Sequence, residues 1–318
     1  MLSLLALGML GFVIVNLWGN NSSSEPKRII VAVKATKEID FWRVLTDGVH
    51  TAAREFGVET SIIGPPKEKE VDLQISMLEN ALLEGPDAIV MAAGDFNGLV
   101  PIAKKIRQAG IPLIMIDSDI NGDFAHSLIS TDNIDAGQKA GRELAALLPV
   151  NAKVAIISYV QGASTQIDRE HGVRSILKER EGTEIVGTYY SEGMVETAYT
   201  LTKKLLQERN DLDGIVGLNE PSTVGAGRAI QELGLAGKVK LVGFDSSIEE
   251  VKLLEAGVLQ TIVIQQPFSI GYLGIKTAVS VMEGDKVPSE IFTDSVVINK
   301  DNMYTEETQK LLFPFVEE

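Results

Sequence analysis

Short apolar runs alternate along most of the chain with segments whose apolar residues recur every three or four positions. The first run reads IIVAV at residues 29–33, and the apolar positions after it are Phe41, Leu45, Val49, Ala52 and Phe56. Side chains with this spacing share one face of a helix. The pattern therefore predicts a strand followed by an amphipathic helix.

The same alternation continues through both halves of the chain. Further apolar runs lie at residues 60–63, 88–92 and 113–116, and after an irregular stretch at 119–132 they resume at 154–157, 185–188, 214–218, 241–244 and 259–264. Gly57, Gly85 and Gly110 stand where the first helices should end, since glycine readily adopts the left-handed conformation that closes a helix. Continuously apolar runs are typical of parallel strands covered on both faces.

The second series opens with a helix at 134–148 and closes with an additional tail. Its later helices are expected to begin near Ser164, Val195, Ser222 and Ser246. The tail from Pro267 predicts a long helix, a strand near 294–298 and a short helix after Tyr304. Two βα series separated by an irregular segment predict an α/β protein with two doubly wound parallel-sheet lobes.

The first 18 residues differ from the rest, because MLSLLALGMLGFVIVNLW carries no charge. Such a segment is near the lower limit for spanning a bilayer and longer than the usual apolar part of a signal peptide. No basic residue precedes it and no A-x-A site follows, although Ser22 and Ser24 offer small residues for cleavage. The polar linker at 19–26 disfavours a buried core helix. Residues 1–26 are thus predicted to hold a membrane anchor or signal segment plus a linker, and the exported remainder to face the outside of the membrane.

Composition narrows the function classes further. The 318 residues include 29 basic and 44 acidic side chains, and the net charge of -15 has the wrong sign for nucleic-acid binding. The sequence has no cysteine, and its three histidines, His50, His126 and His171, are scattered. It therefore offers no thiolate or histidine-rich metal site. We expect no metal, no cofactor and no nucleic-acid partner.

Common enzyme motifs are missing from the sequence. Gly225-Ala-Gly227-Arg-Ala-Ile230 begins like a dinucleotide fingerprint, but Ile230 replaces the third small residue and the segment is predicted to lie inside a helix. The sequence contains no phosphate-binding loop and no nucleophile elbow. Carboxylates such as Asp117 could act as a general acid or base, but no nucleophile or metal accompanies them. We therefore expect a binding protein rather than an enzyme.

Polar and aromatic residues follow the predicted strands, where open α/β sheets bind their ligands. These residues are 36–42, Asp95, Asp117, Ser118 and Asp119 in the first half, and Asn219, Glu220, Asp245, Gln265 and Gln266 in the second. Carboxylates and amides pair with vicinal hydroxyls, and aromatic faces such as those of Phe41 and Trp42 cover the C–H side of a sugar ring. The set favours a neutral polyol as ligand.

Each of these residues also has a purely structural explanation. An aspartate or asparagine after a strand is very often the N-cap of the next helix, which applies to Asp245 and Asn219. Phe41 and Trp42 could simply be core residues at the start of a helix. The functional interpretation depends on their convergence at one edge.

Several segments together resemble the ribose-type periplasmic sugar-binding proteins. They are DFWRVLTDG at 40–48, Ile116-Asp117, STDN at 130–133, Leu218-Asn219-Glu220, VGFDSS at 242–247 and Ile264-Gln265-Gln266-Pro267. Their order and spacing are specific for the family but not for the ligand, and the match extends from residue 27 to the end.

The resemblance implies the type I periplasmic binding protein fold, in which two lobes joined by a three-segment hinge close on a sugar. The lobes would comprise residues 27–129 with 267–291, and residues 130–266 with 292–318. The hinge would lie near Ser130, Gln266 and Phe292.

The resemblance also implies roles for individual residues. Phe41 and Trp42 match its stacking aromatics, Asp117 its first-lobe hydroxyl acceptor, and Asn219, Asp245 and Gln265 its ligands on the second lobe and hinge. His171 stands where the family usually has an arginine, and Arg169 is the alternative for that role. Ser118 stands where many members have an arginine, and Ile39 where ribose binders tend to have an asparagine.

The function implied is that of a sugar-binding protein that closes on a monosaccharide, a pentose such as ribose or xylose, and presents it to an ABC permease. The alternative is a membrane-anchored sensor that signals sugar occupancy to a histidine kinase of a two-component system. The missing lipoprotein cysteine and the poor cleavage site favour the sensor. A lactose-repressor type of protein is excluded, because an apolar segment replaces its helix-turn-helix domain.

Overall fold

The computed structural model describes residues 25–37 and 40–312. The elements in the first part of the chain are β1 (Arg28–Ala32), α1 (Asp40–Phe56), β2 (Glu59–Ile63), α2 (Val71–Leu83), β3 (Ala88–Met91), α3 (Val100–Gln108), β4 (Leu113–Ile116) and β5 (Ser127–Thr131). They are followed by α4 (Asn133–Leu147), β6 (Lys153–Ser158), α5 (Ser164–Glu179), β7 (Glu184–Tyr190), α6 (Val195–Glu208), β8 (Gly214–Gly217), α7 (Glu220–Glu232), β9 (Lys240–Phe244), α8 (Ile248–Glu255) and β10 (Thr261–Ile264). The last elements are α9 (Pro267–Met282), β11 (Glu290–Thr293), β12 (Val296–Asn299) and α10 (Glu306–Leu312).

The described strands form two six-stranded sheets, one in each lobe. Their orders are β11-β5-β4-β3-β1-β2 and β12-β10-β9-β8-β6-β7. The strand pairs are parallel except for β10 with β12, where Thr261 lies opposite Asn299. Strands β3 and β8 are buried at every position, and apolar clusters lie on both faces of each sheet. The predicted α/β architecture of two doubly wound lobes is confirmed.

The chain passes between the lobes three times, after β5, after β10 and after β11. Helix α4 therefore packs on α5 and the second sheet, whereas α9 packs on α1 and the first sheet. The predicted lobe limits lie within a few residues of these crossings. Ser130 and Phe292 nevertheless belong to the first-lobe strands β5 and β11, rather than to the second lobe.

Two strands, β5 and β11, were not predicted from the apolar runs. β5 lies inside the stretch that was expected to be irregular, because its sequence SLIST buries Ser127, Ser130 and Thr131 as well as apolar residues. β11 was missed because Glu290 and Phe292 are exposed. The strand expected near 294–298 is β12, one or two residues further on.

Local signals for helix ends are confirmed more closely than those for helix starts. Gly57, Gly85 and Gly110 have φ angles of 65°, 60° and 72°, as the left-handed helix closure requires. Helices α5 and α6 begin at Ser164 and Val195, as predicted, whereas α7 begins slightly before Ser222 and α8 slightly after Ser246.

Close packing of two helix pairs positions the cleft. A Cβ on either Gly48 or Gly271 would lie closer than 3.0 Å to a carbonyl oxygen of the partner helix, and the same holds for Gly137 and Gly172 in the second lobe. Glycine at each crossing therefore lets α1 approach α9 and lets α5 approach α4. These contacts fix α1 and α5, whose first turns reach the cleft.

None of the helices in the described ranges is long and apolar enough to cross a membrane. The predicted anchor or signal segment at 1–18 lies outside these ranges, as does Ile39.

Candidate ligand-binding site

The carboxyl ends of the two sheets face each other around a small cavity. Its lining consists of Lys34, Phe41, Trp42, Glu68, Asp117, Tyr159, Thr165, Arg169, Asn219, Pro221, Asp245 and Gln265. The cavity volume of about 20 Å³ is enough for about one water molecule. The two lobes therefore stand closed against each other.

Direct contacts between the lobes surround this cavity. The backbone N–H of Phe96 donates to the carbonyl oxygen of Gly162 at 2.8 Å. A second contact between the lobes is an ion pair, in which Lys69 Nζ lies 2.7 Å from a carboxylate oxygen of Glu192. Contacts of this kind can form only when the lobes are closed.

A buried ion pair forms the first-lobe wall. Lys34 Nζ lies 2.7 Å from Asp117 Oδ2 and donates to Ser118 Oγ at 2.7 Å, and Ser118 Oγ donates to Asp117 Oδ2 at 2.5 Å. Burial works to lower the pKa of Lys34, but the negative charges of Asp117 and Glu68 outweigh it and raise this pKa above its usual value. Lys34 is therefore a cation at neutral pH.

Two aromatic side chains at the start of α1 cover the ion pair. The rings of Phe41 and Trp42 meet edge to face, with centroids 5.0 Å apart, and Lys34 Nζ lies 5.4 Å from the Trp42 ring centroid. Trp42 Nε1 donates to Glu68 Oε1 at 3.0 Å. Both aromatic residues belong to the core, and both also line the cavity.

Asp245 holds the second-lobe wall together. Its Oδ1 accepts from Gln265 Nε2 at 2.6 Å and its Oδ2 accepts from the backbone N–H of Glu220 at 3.0 Å. The N-cap of α8 is Ser247, so Asp245 does not cap the helix that follows it. Its carboxylate instead connects the first turn of α7 to the hinge.

Asn219 does act as an N-cap. Its Oδ1 accepts from the backbone N–H of Ser222 at 3.1 Å. Its amide nitrogen carries two N–H donors for a ligand in the cavity, and the oxygen keeps a second lone pair.

Arg169 lies fully inside the second lobe at 3% exposure. Its Nε donates to Asn133 Oδ1 and its Nη1 to the carbonyl oxygen of Leu218, both at 2.8 Å, and its guanidinium lies 4.6 Å from the Phe244 ring centroid. His171 is exposed and lies outside the cavity lining, because two residues along a helix turn a side chain by about 200°. Arg169 is thus the residue of the pair that the fold brings to the cleft.

Two aspartates occupy matching positions in the two sheets. Asp117 follows β4 and Asp245 follows β9, each of which is the third strand of its sheet. Their φ angles of 57° and 75° are in the left-handed region, which is rare outside glycine. The N–H of Asp117 donates to Ile129 and that of Asp245 to Val263, at 2.9 Å in both lobes.

Seven of the nine predicted site residues line the cavity, namely Phe41, Trp42, Asp117, Arg169, Asn219, Asp245 and Gln265. Ser118 is fully buried and supports Asp117 and Lys34 without lining the cavity. The sequence interpretation missed Lys34, Glu68, Tyr159, Thr165 and Pro221. Lys34 carries a signal, since it is a single charge directly after the apolar run of β1.

A second, larger cavity of about 460 Å³ opens on the hinge side of the cleft. It shares Phe41, Asp245 and Gln265 with the cleft lining. Within the described residues, no group of three or more histidine, aspartate or glutamate side chains is arranged to hold a metal ion.

Known proteins share this architecture. The family described as periplasmic binding protein domain matches residues 29–286. A ribose import binding protein of Haemophilus influenzae is 27% identical over 291 residues, which is 91% of this chain and 97% of that protein.

Two solved structures are similar over nearly their whole length. A carbohydrate transporter solute-binding protein of Agrobacterium radiobacter, in complex with D-arabinose, has a TM-score of 0.87 and 30% identity, covering 91% of this chain and 100% of that one. An ABC transporter solute-binding protein of Agrobacterium vitis with bound D-fucose has a TM-score of 0.87 and 34% identity, covering 90% and 99%. The chain therefore belongs to the periplasmic binding protein family, as the sequence resemblance predicts, and family membership implies an extracytoplasmic location.

Proposed function

We propose that this protein binds a neutral monosaccharide, a pentose or a close relative, between its lobes and presents it to an ABC importer. The observation that carries the proposal is the set of side chains that line the cleft between the carboxyl ends of the two sheets, rather than the volume of about 20 Å³ that they enclose in this closed arrangement. Two aromatic rings, Phe41 and Trp42, and side chains that pair with hydroxyls line the cleft from both lobes.

The chemistry of the lining favours a neutral polyol. Asp117 and Asp245 offer carboxylate oxygens, Asn219 and Gln265 offer amide groups, and Arg169 offers donors in a fixed plane. Cations and carboxylates both face the cavity, so a ligand needs no net charge to be held. Aromatic faces add apolar contact with the C–H side of a sugar ring.

The similar proteins support an importer. The Haemophilus influenzae relative is named for ribose import, and the two Agrobacterium proteins are transporter components with a bound pentose or 6-deoxyhexose. The alternative, a sensor for a histidine kinase, depends on the segment at 1–18 and gains no support from these similarities.

Closure of the lobes would couple binding to recognition by the membrane partner. Phe41, Trp42 and Asp117 lie on the first lobe and Asn219 and Asp245 on the second, so a bound sugar bridges both. Moving the lobes from 1:99 to 99:1 closed requires about 5.5 kcal/mol of differential affinity. Several charge-assisted hydrogen bonds together with aromatic contact can supply that amount.

Calorimetry on the chain from Glu25 onward tests the binding. We expect one molecule of D-ribose, D-xylose, D-arabinose or D-fucose to bind per chain, with a smaller radius of gyration by X-ray scattering in the bound state. Binding of amino acids or anions without any sugar would overturn the proposal. Deletion of the gene should abolish high-affinity uptake of the sugar, whereas intact uptake with lost sugar-induced transcription would instead favour the sensor.

A further inference from the structure

The loop between β2 and α2 turns one acidic side chain inward. Within this loop, the backbone N–H of Lys67 donates to Glu70 Oε2 at 3.0 Å and the N–H of Glu70 donates to the Lys67 carbonyl oxygen at 3.1 Å. The turn leaves Lys67 and Lys69 exposed, while Glu68 between them is only 8% exposed. A charged residue is thus buried in a loop whose other charges face solvent.

The two carboxylate oxygens of Glu68 differ. Oε1 accepts from Trp42 Nε1 at 3.0 Å. Oε2 is buried and has no hydrogen-bond partner among the described residues, although Glu68 lines the cleft cavity. A polar atom in this state is strongly disfavoured unless a further group donates to it.

The second lobe covers this oxygen. A Cβ on Gly193 would lie 3.2 Å from Glu68 Oε2, so the main chain of the loop before α6 sits directly over the carboxylate. Beside it, Lys69 and Glu192 form the ion pair between the lobes. The unpartnered oxygen is therefore buried by closure, at the stage when a ligand is enclosed.

The nearby cation does not satisfy Oε2. Lys34 Nζ places two of its three donors on Asp117 and Ser118. Burial raises the pKa of Glu68 and the positive charge of Lys34 opposes this, with burial prevailing. A neutral hydroxyl donor suits such a carboxyl group better than a second charged group.

On the basis of the proposed sugar-binding function, we propose that Glu68 is a specificity-determining residue whose Oε2 accepts a hydrogen bond from one particular hydroxyl of the ligand. The protein then selects sugars that carry a free hydroxyl at that ring position. It discriminates against the deoxy analogue, which leaves the oxygen unpartnered, and against a phosphate or carboxylate at the same position, which places a negative charge beside it.

A binding cycle between protein and sugar variants tests this role. The probes are D-ribose, D-xylose and D-arabinose with their monodeoxy analogues, and the proteins are the wild type, Glu68→Gln, Trp42→Phe and Glu70→Gln. Glu70 is the matched control, because it is a glutamate of the same loop outside the cavity lining.

We expect the wild type to bind one of the deoxy sugars roughly 10- to 100-fold more weakly than its parent. Glu68→Gln should bind the parent more weakly by a similar factor and no longer distinguish the two. Trp42→Phe should keep the discrimination, because it leaves the carboxylate in place. Glu70→Gln should behave as the wild type does.

Three results would overturn the inference while leaving sugar binding intact. Glu68→Gln could weaken parent and deoxy sugars equally, which would reduce Glu68 to a residue that positions Trp42. It could bind with unchanged affinity. Both Glu68→Gln and Glu68→Ala could fail to fold, which would assign the carboxylate to the core. A wild type that binds none of the three sugars contradicts the proposed function, and this inference with it.

Discussion

The two lobes place an aspartate at the same point of the same sheet order and then surround it differently. Asp117 faces a lysine and a serine hydroxyl, whereas Asp245 faces the side-chain amide of Gln265 and a backbone N–H. Both residues adopt the left-handed conformation, and both follow the third strand of their sheet. The repeated fold therefore fixes where the carboxylate stands, and the neighbouring side chains fix what holds it there.

The two helix pairs likewise combine a backbone arrangement that repeats in both lobes with side chains that differ between them. In each lobe two glycines allow one helix to press against another, so the backbone scaffold repeats. The residues that these helices deliver do not repeat. Helix α1 brings Phe41 and Trp42 to the cleft and α5 brings Arg169, so one lobe presents aromatic faces and the other a planar cation.

The largest effect that follows from this comparison concerns the two aspartates. Asparagine tolerates the left-handed conformation and preserves shape, so it isolates the charge. Asp117→Asn leaves Lys34 buried without its counter-ion and should lower the free energy of unfolding by about 3–5 kcal/mol. Asp245→Asn disturbs only hydrogen bonds with neutral donors and should cost about 1–3 kcal/mol.

Urea titrations of both variants measure these losses. Adding Lys34→Met to the Asp117→Asn variant should recover part of the stability, because the unpaired cation is removed. Equal losses for the two aspartates, or no recovery in the double variant, would show that the lobes hold them in the same way.

Substitutions in the two glycine pairs should destabilise the two lobes by similar amounts, unlike substitutions of the two aspartates. Alanine at Gly271 or at Gly137 puts a methyl group against a carbonyl oxygen of the facing helix, and overpacking of this kind costs about 1–3 kcal/mol. We expect both variants to lower the thermal midpoint by similar amounts. If only one lobe tolerates alanine, the helix crossings are not equivalent in the way the backbone geometry indicates.

Much of the architecture could be predicted from the sequence because parallel strands are apolar along their whole length. The same regularity led to Asp117 and Asp245, since residues after buried strands meet at one edge of a sheet. Gly57, Gly85 and Gly110 indicated helix ends, because the left-handed conformation that closes a helix favours glycine. These features depend on local patterns alone.

The remainder depends on contacts that no local pattern contains. β5 buries two serines and a threonine, and the hydroxyl of Ser130 donates to the Asp117 carbonyl oxygen while that of Thr131 donates to Gln265 Oε1. These polar residues conceal the strand from a search for apolar runs. Glu68 is one of four charges in the segment KEKE, and the turn of the loop between Lys67 and Glu70 decides which of these side chains points inward. His171 and Arg169 are separated only by the rotation of the helix that carries them.

The smallest expected effect concerns Glu220, an acidic residue of the second lobe whose equivalent in the first lobe is a glycine. Glu220 lies three residues after Gly217, the last paired residue of β8. The residue at the same distance from the end of β3 is Gly94. The Glu220 side chain faces Asp40, in the first turn of a first-lobe helix, and its Oε2 is buried without a hydrogen-bond partner among the described residues. This contact exists only in the closed state.

Closure should therefore weaken as pH rises. Burial, followed by the charges of Asp245 and Asp40, raises the pKa of Glu220 to about 8, from 4.5 for an ordinary glutamate. Between these values the closed form binds more protons than the open form, so raising the pH through this window favours opening, and above it the effect levels off. Glu250 lies in the same acidic cluster but within the second lobe, so its titration affects that lobe in either state. Calorimetric sugar affinity measured from pH 5.5 to 8.5 should fall in the wild type and stay flatter in Glu220→Gln; identical slopes, or an affinity that rises with pH, would remove Glu220 from the closure equilibrium.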